Sequence, residues 1–137
     1  VFMVATANDI SQLPPELVRK GRFDEIFFID FPSPPAREQI ARIHLSKRNY
    51  DPAKFDVAGF ARLSEGFSGA EIEQAIVSAS FEARARGDAL TSTDILAELE
   101  RTRPLSVIMS ERIDALRNWA SERAVYADDP AISPEEM

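Results

Sequence analysis

Three groups of residues in this sequence have the types and the spacing to do chemistry. Asn8 follows the short apolar run of residues 1–5, and a neutral side-chain amide can donate one hydrogen bond while accepting another. Arg19 and Arg22 bracket Lys20-Gly21 and are followed by Phe23-Asp24. A planar guanidinium that is always charged suits the charge that builds on the oxygens of a transferring phosphoryl group. Further along, Ile40 and His44 stand four residues apart, and Gly66-Phe67-Ser68-Gly69-Ala70-Glu71-Ile72 places the small residues Gly69 and Ala70 at the start of a helix. Small residues there give a ligand room, and exposed N–H groups give polarity. Each group also has a bland reading. Asn8 alone fits a turn or a cap, the Arg pair a solvated basic loop, His44 the boundary of an apolar face, and Ser68 with Glu71 a helix cap.

Composition removes several classes of chemistry. The chain of 137 residues has no Cys and one His, which excludes disulfides, thiolate catalysis and an ordinary zinc or iron site on ligand count. A reducing, cytoplasmic setting fits that usage. The net charge of −7 argues against nucleic acid as a partner, because phosphate backbones are bound through a surplus of Lys and Arg. No run approaches the roughly 20 apolar residues that a membrane helix needs, so a soluble, unexported protein is expected. No Gly-x-x-x-x-Gly-Lys-Ser/Thr string occurs, so the sequence has no phosphate-cradling loop of that type. Residues 26–31 imitate a strand ending in a magnesium-binding Asp, but Phe31 stands where the following Glu is required. Gly66-Phe67-Ser68-Gly69-Ala70 lacks the fifth-position Gly of a nucleophile elbow.

The elements that must position these residues can be read from the pattern. Residues 1–5 and 26–31 are short, nearly continuous apolar runs, as in strands buried on both faces of a parallel sheet. The chain opens inside the first run, so the natural polypeptide is expected to begin upstream. After Pro32 the sequence reads as helices. Ser33 as cap and Pro34 at the first position open a helix to about residue 48, with Ile40 and Ile43 on one face. A short helix starts at Asp56 and is expected to turn Val57, Phe60 and Leu63 inward. Ser68 and Glu71 form a capping-box pair, with Phe67 and Ile72 as a hydrophobic staple. They open a helix with Ile72, Ile76, Ala79 and Ala83 in one stripe, closed by Gly87. Leu90-Thr91-Ser92-Thr93-Asp94-Ile95 repeats that grammar for a helix ending before Pro104. A last helix starts near Ser110 and uses Ile113, Leu116 and Ala120. Residues 128–137 are acidic and Pro-interrupted, the composition of a disordered tail.

Strand, Asn, paired Arg within Gly-Arg-Phe-Asp, strand and Pro-capped helix occur here in one fixed order. That string resembles the second region of homology of AAA+ ATPases, and Gly66 to Ile72 is similar to their lid segment. Ala70 stands where other AAA+ branches carry a lid Arg, which agrees with the AAA branch proper. The resemblance covers about the first hundred residues, and the helix starting at Pro104 is similar to AAA proteins of bacteria, cyanobacteria and algal chloroplasts. It implies a mainly α chain with a small α/β part, the last strands of a parallel core sheet followed by a helical-bundle lid. Residues 1–32 would end the core, 33–104 form the lid, 105–127 a helical extension and 128–137 the tail.

The resemblance also implies roles. Asn8 would sense the γ-phosphate and orient water, and Arg19 and Arg22 would reach the nucleotide of a neighbouring subunit. Ile40 and His44 would contact adenine and ribose, and Gly69 and Ala70 would let the helix backbone approach the nucleotide. The complete protein would bind ATP and Mg²⁺, with the metal ligands upstream, and assemble as a ring, expected to be a hexamer, that remodels a protein partner. Alone, this chain should not hydrolyse ATP. Two alternatives stay open, a regulatory ring subunit without hydrolysis and an autonomous helical protein-binding module.

Overall fold

A computed structural model describes residues 27–126, together with residues 4 and 6. Asn8, Arg19 and Arg22, the strand expected over residues 1–5 apart from residue 4, and the tail from residue 128 therefore lie outside the described residues.

Helix α1 spans Pro34–Lys47 and starts where the Ser-Pro pair predicts. The Ser33 side chain, however, makes no capping hydrogen bond. Prolines at the first two helical positions carry no N–H, which removes two of the four donors a helix start leaves unpaired. The Arg37 N–H is met by the Ser33 carbonyl at 2.9 Å. The buried positions of α1 are Arg37, Ala41 and Leu45, whereas Ile43 is exposed and Ile40 is half-buried at the edge of the core. The face expected from Ile40 and Ile43 is thus rotated toward Arg37. That guanidinium is held by the Ala61 carbonyl at 3.0 Å and the Pro32 carbonyl at 2.9 Å.

A 3₁₀ turn over Pro52–Lys54 leads to α2, Val57–Leu63, where the Asp56 carboxylate accepts from the Gly59 N–H at 3.0 Å. Val57, Phe60 and Ala61 are buried, but Leu63 is not. The helix ends there, and the chain turns through Ser64 and brings Phe67 inward instead.

Helix α3, Gly69–Arg86, has the complete expected start. Ser68 Oγ accepts from the Glu71 N–H at 3.2 Å, and Glu71 Oε1 accepts from the Ser68 N–H at 3.0 Å. Phe67 and Ile72 are both buried as the staple requires. Gly87 closes the helix at φ 78°, a left-handed conformation that costs a side-chain-bearing residue about 1 kcal/mol or more. Helix α4, Ser92–Arg101, has a Thr91–Asp94 capping box of the same kind.

Helices α1 to α4 pack into one bundle, α1 against α2 and α3, and α4 against α3 and α2. Their shared core includes Leu45, Phe60, Phe67, Ile72, Ile76, Ile95 and Leu99. Each such side chain contributes about 1.5–3 kcal/mol on burial.

The C-terminal segment contains α5, Leu105–Ile108, and α6, Ser110–Arg123. It then forms β2, Val125–Tyr126, which pairs in parallel with β1, Phe27–Phe28, in the register Phe27 to Val125 and Phe28 to Tyr126. The extension expected over residues 105–127 thus carries a two-residue strand after its helices. The fork of Arg117 on α6 closes on the Asp30 carboxylate, with Nε at 2.8 Å and Nη2 at 2.9 Å. Asp30 in turn raises the Arg117 pKa above its ordinary value, mainly through this hydrogen bonding.

The run over residues 26–31 was expected to be buried on both faces, yet Phe27 is 58% exposed and Ile29 78% exposed. Among the described residues β1 pairs with β2 alone, Phe28 is half-buried, and a core sheet needs more strands than this pair. No helix long and apolar enough to cross a membrane occurs among the described residues.

Candidate functional site

Helices α1 and α3 lie against each other. Helical periodicity places residues four apart above one another, so Ile40, His44 and the C-capping Arg48 follow one line of α1, and Gly69 and Glu73 follow one line of α3. The two lines meet. A Cβ built on Gly69 would lie 3.6 Å from Ile40 Cδ1, so the missing side chain leaves a gap between that methyl and the α3 backbone. One turn further, His44 Nδ1 stands 3.5 Å from Glu73 Oε1.

Arg48 ties the two helices together at this level. Its Nη2 donates to Glu73 Oε1 at 2.9 Å, and its Nη1 donates to the His44 carbonyl at 3.0 Å while standing 3.5 Å from His44 Nδ1. The hydrogen bond from Arg48 holds the Glu73 carboxyl below the usual carboxylate range, and the nearby His44 lowers it further. The His44 side chain is 16% exposed, and its second nitrogen, Nε2, has no partner among the described residues.

Of the residues expected to form a site, the structure thus brings Ile40, His44 and Gly69 together. Ala70 is exposed on the first turn of α3 beside them. The capping box uses the Glu71 N–H, and the backbone ladder starts at the Ile72 N–H, so the Gly69 and Ala70 N–H groups have no partner within the helix. Glu73, Arg48 and Arg37 were not foreseen. Glu73 follows Gly69 by four residues and Arg48 follows His44 by four, so the i,i+4 rule would have placed both on this face.

An apolar methyl, a gap over bare helix backbone, polar N–H groups at a helix start and an imidazole edge form one side of a receptor for a flat heteroaromatic ring with a polar rim. An adenine ring is one group of that chemistry. A separate cavity of about 710 Å³ lies between residues 49–55 and the C-terminal half of α3, lined by Tyr50, Phe55, Arg84 and Thr91 among others. It includes none of the expected site residues. No cluster of three metal-ligating side chains occurs among the described residues.

Known proteins similar to this chain share its sequence over most of its length. The AAA domain-containing protein ycf46 of Guillardia theta is 46% identical over 122 residues, 88% of this chain and 24% of the relative. The ATP-dependent zinc metalloprotease FtsH 2 of Bdellovibrio bacteriovorus is 38% identical over 102 residues, 74% of this chain and 16% of the relative. The proteasome-activating nucleotidase of Aeropyrum pernix is 34% identical over 104 residues, 75% of this chain and 25% of the relative. The chain spans about a quarter or less of the length of these proteins. No family model and no solved structure matches it.

Proposed function

Since the chain belongs to the AAA+ ATPase family, we propose that helices α1 to α4 are the lid that closes over Mg-ATP in a larger ring-forming ATPase. The observation that carries this reading is the meeting of Ile40, His44 and Gly69 across α1 and α3. Ile40 supplies an apolar wall for adenine, Gly69 and Ala70 let the base and ribose approach the backbone, and His44 meets a polar edge. Phosphates and Mg²⁺ are held by parts of the protein outside this sequence, and the metal neutralises phosphate charge.

Asn8 acts in this reading as the γ-phosphate sensor, and Arg19 and Arg22 serve the nucleotide of the neighbouring subunit. Binding and hydrolysis then move the lid and drive remodelling of a protein partner by a ring, expected to be hexameric. Names of relatives such as an ATP-dependent metalloprotease and a proteasome-activating nucleotidase support ATP as the ligand. The cytoplasmic setting expected from the lack of Cys belongs to the same reading. Nucleic acid and membrane have no part in it.

The test is steady-state ATP turnover by the whole protein. Arg22→Ala should lower turnover by about 10³ to 10⁵ while leaving ATP affinity nearly unchanged, because the finger serves a neighbour's transition state. Mixing that variant with one lacking the P-loop Lys should restore activity at shared sites. Normal turnover by Arg22→Ala would refute the assignment. Binding without turnover in the wild type would favour a regulatory subunit.

A further inference from the structure

Asp30 imitates a magnesium-binding carboxylate in the sequence and has no part in the nucleotide site, yet it stands where the chain leaves β1 for α1 and where α6 returns to β1. We propose that residues 105–126 form a strap that fastens the lid to β1 a second time, with the Arg117–Asp30 fork as its latch, and that this fastening narrows the orientations open to the lid and so favours ATP binding. The role rests on reading α1 to α4 as the nucleotide lid and adds what restrains that lid.

The first fastening is the chain itself. On the lid side, the buried Arg37 guanidinium donates to the Pro32 carbonyl at 2.9 Å and the Ala61 carbonyl at 3.0 Å, which fixes Pro32 to α1 and α2. On the β1 side, Asp30 Oδ1 accepts from the Phe31 N–H at 2.7 Å. The joint is thereby confined to Phe31–Pro32.

The strap supplies the second fastening. Its α5 end meets the lid at Gly66, where an added Cβ would run into the Ser106 hydroxyl and lie 3.4 Å from Ser106 Cβ. Gly66 also stands at φ 76°, so a side chain there is strained as well as crowded. The contact falls in the loop that leads into the nucleotide-facing start of α3. At the other end, β2 pairs with β1 through two residues, a ladder too short to be more than marginal alone. The Arg117 fork locks that end, with Nε and Nη2 on the two Asp30 oxygens at 2.8 and 2.9 Å and Asp114 at 3.5 Å from Nη1. A body held at one joint swings about any axis through it, whereas one held at two points keeps chiefly the rotation about the line between them. Fewer free orientations mean a smaller ordering cost when the lid closes on a ligand.

The experiment uses the whole protein with spin labels on Ala85→Cys and Asn118→Cys, exposed positions of α3 and α6. Distance distributions without nucleotide, and equilibrium ATP binding, are measured for the wild type, Arg117→Ala, Arg117→Lys, Asp30→Ala and the Arg117→Ala/Asp30→Ala double variant. Circular dichroism checks that the helices are intact. Arg117→Ala should broaden a narrow wild-type distribution and weaken ATP by about 2- to 10-fold, the range of a bidentate pair whose side chains are partly exposed. Arg117→Lys, which keeps the charge without the fork, should fall between. Asp30→Ala also removes the acceptor for the Phe31 N–H and should do at least as much as Arg117→Ala, and the double variant should go no further than Asp30→Ala.

A narrow distribution retained in Arg117→Ala would overturn the strap, whatever ATP binding does. Broadening with unchanged ATP affinity would overturn its service to the nucleotide. If the wild type binds no ATP, the nucleotide reading itself fails and the ATP half of the proposal falls with it, while the distances still decide the restraint.

Discussion

Gly69→Ala separates a structural glycine from one that makes room for a ligand, because the two predict opposite results. Gly69 is the first residue of α3, and its backbone is not in the left-handed region that favours glycine. A Cβ there meets only Ile40 Cδ1, at 3.6 Å, an ordinary van der Waals contact. Nothing in the fold therefore resists the substitution. Replacing Gly by Ala at a compatible position reduces the freedom of the unfolded chain and should stabilise by about 0.4–1 kcal/mol. The same methyl fills the gap that the nucleotide is proposed to use. Forcing an extra methyl into a close-packed contact costs about 1–3 kcal/mol, which corresponds to ATP binding about 5- to 150-fold weaker. Urea unfolding followed by circular dichroism measures the first quantity, and titration of the whole protein with a fluorescent ATP analogue measures the second. A stabilised variant with unchanged ATP affinity would refute the use of this gap by the ligand.

Two further predictions concern the caps of α3 and α4. Ser68→Ala removes the acceptor for the Glu71 N–H and should destabilise by about 1 kcal/mol in the same urea assay. The Asp94 carboxyl is held below the ordinary Asp range, chiefly by the Thr91 backbone hydrogen bond and then by Arg86. A depressed folded pKa gives stability that is present above the unfolded value of about 3.9 and lost as the pH falls through the folded value. Acid unfolding monitored at successive pH values should therefore show a flatter acid limb for Asp94→Asn than for the wild type.

Local grammar made much of the fold legible. The starts of α3 and α4 follow from Ser68 with Glu71 and Thr91 with Asp94, whose partners lie three residues away, and the end of α3 follows from Gly87. What depended on distant partners was not legible. Arg37 reads as a surface residue, and its burial rests on the Ala61 carbonyl 24 residues away. That contact turns Ile43 outward and makes Ala41 and Leu45 the core face of α1. The pairing of β2 with β1 and the Arg117 fork on Asp30 span most of the chain, and the short Val125–Tyr126 strand carries no pattern of its own. At the site, Ile40, His44 and Gly69 were found through family resemblance. Spacing alone could have supplied Glu73 and Arg48, but charged residues on a helix read first as a solvated face.

The account stands or falls on where the adenine ring lies. Photolabelling of the whole protein with 8-azido-ATP, followed by peptide mapping of this chain, tests that placement. Labels within residues 34–48 and 66–73, suppressed by excess ATP, are the predicted result. Saturable labelling confined to residues 49–55 and 83–92, which line the separate cavity, would contradict it.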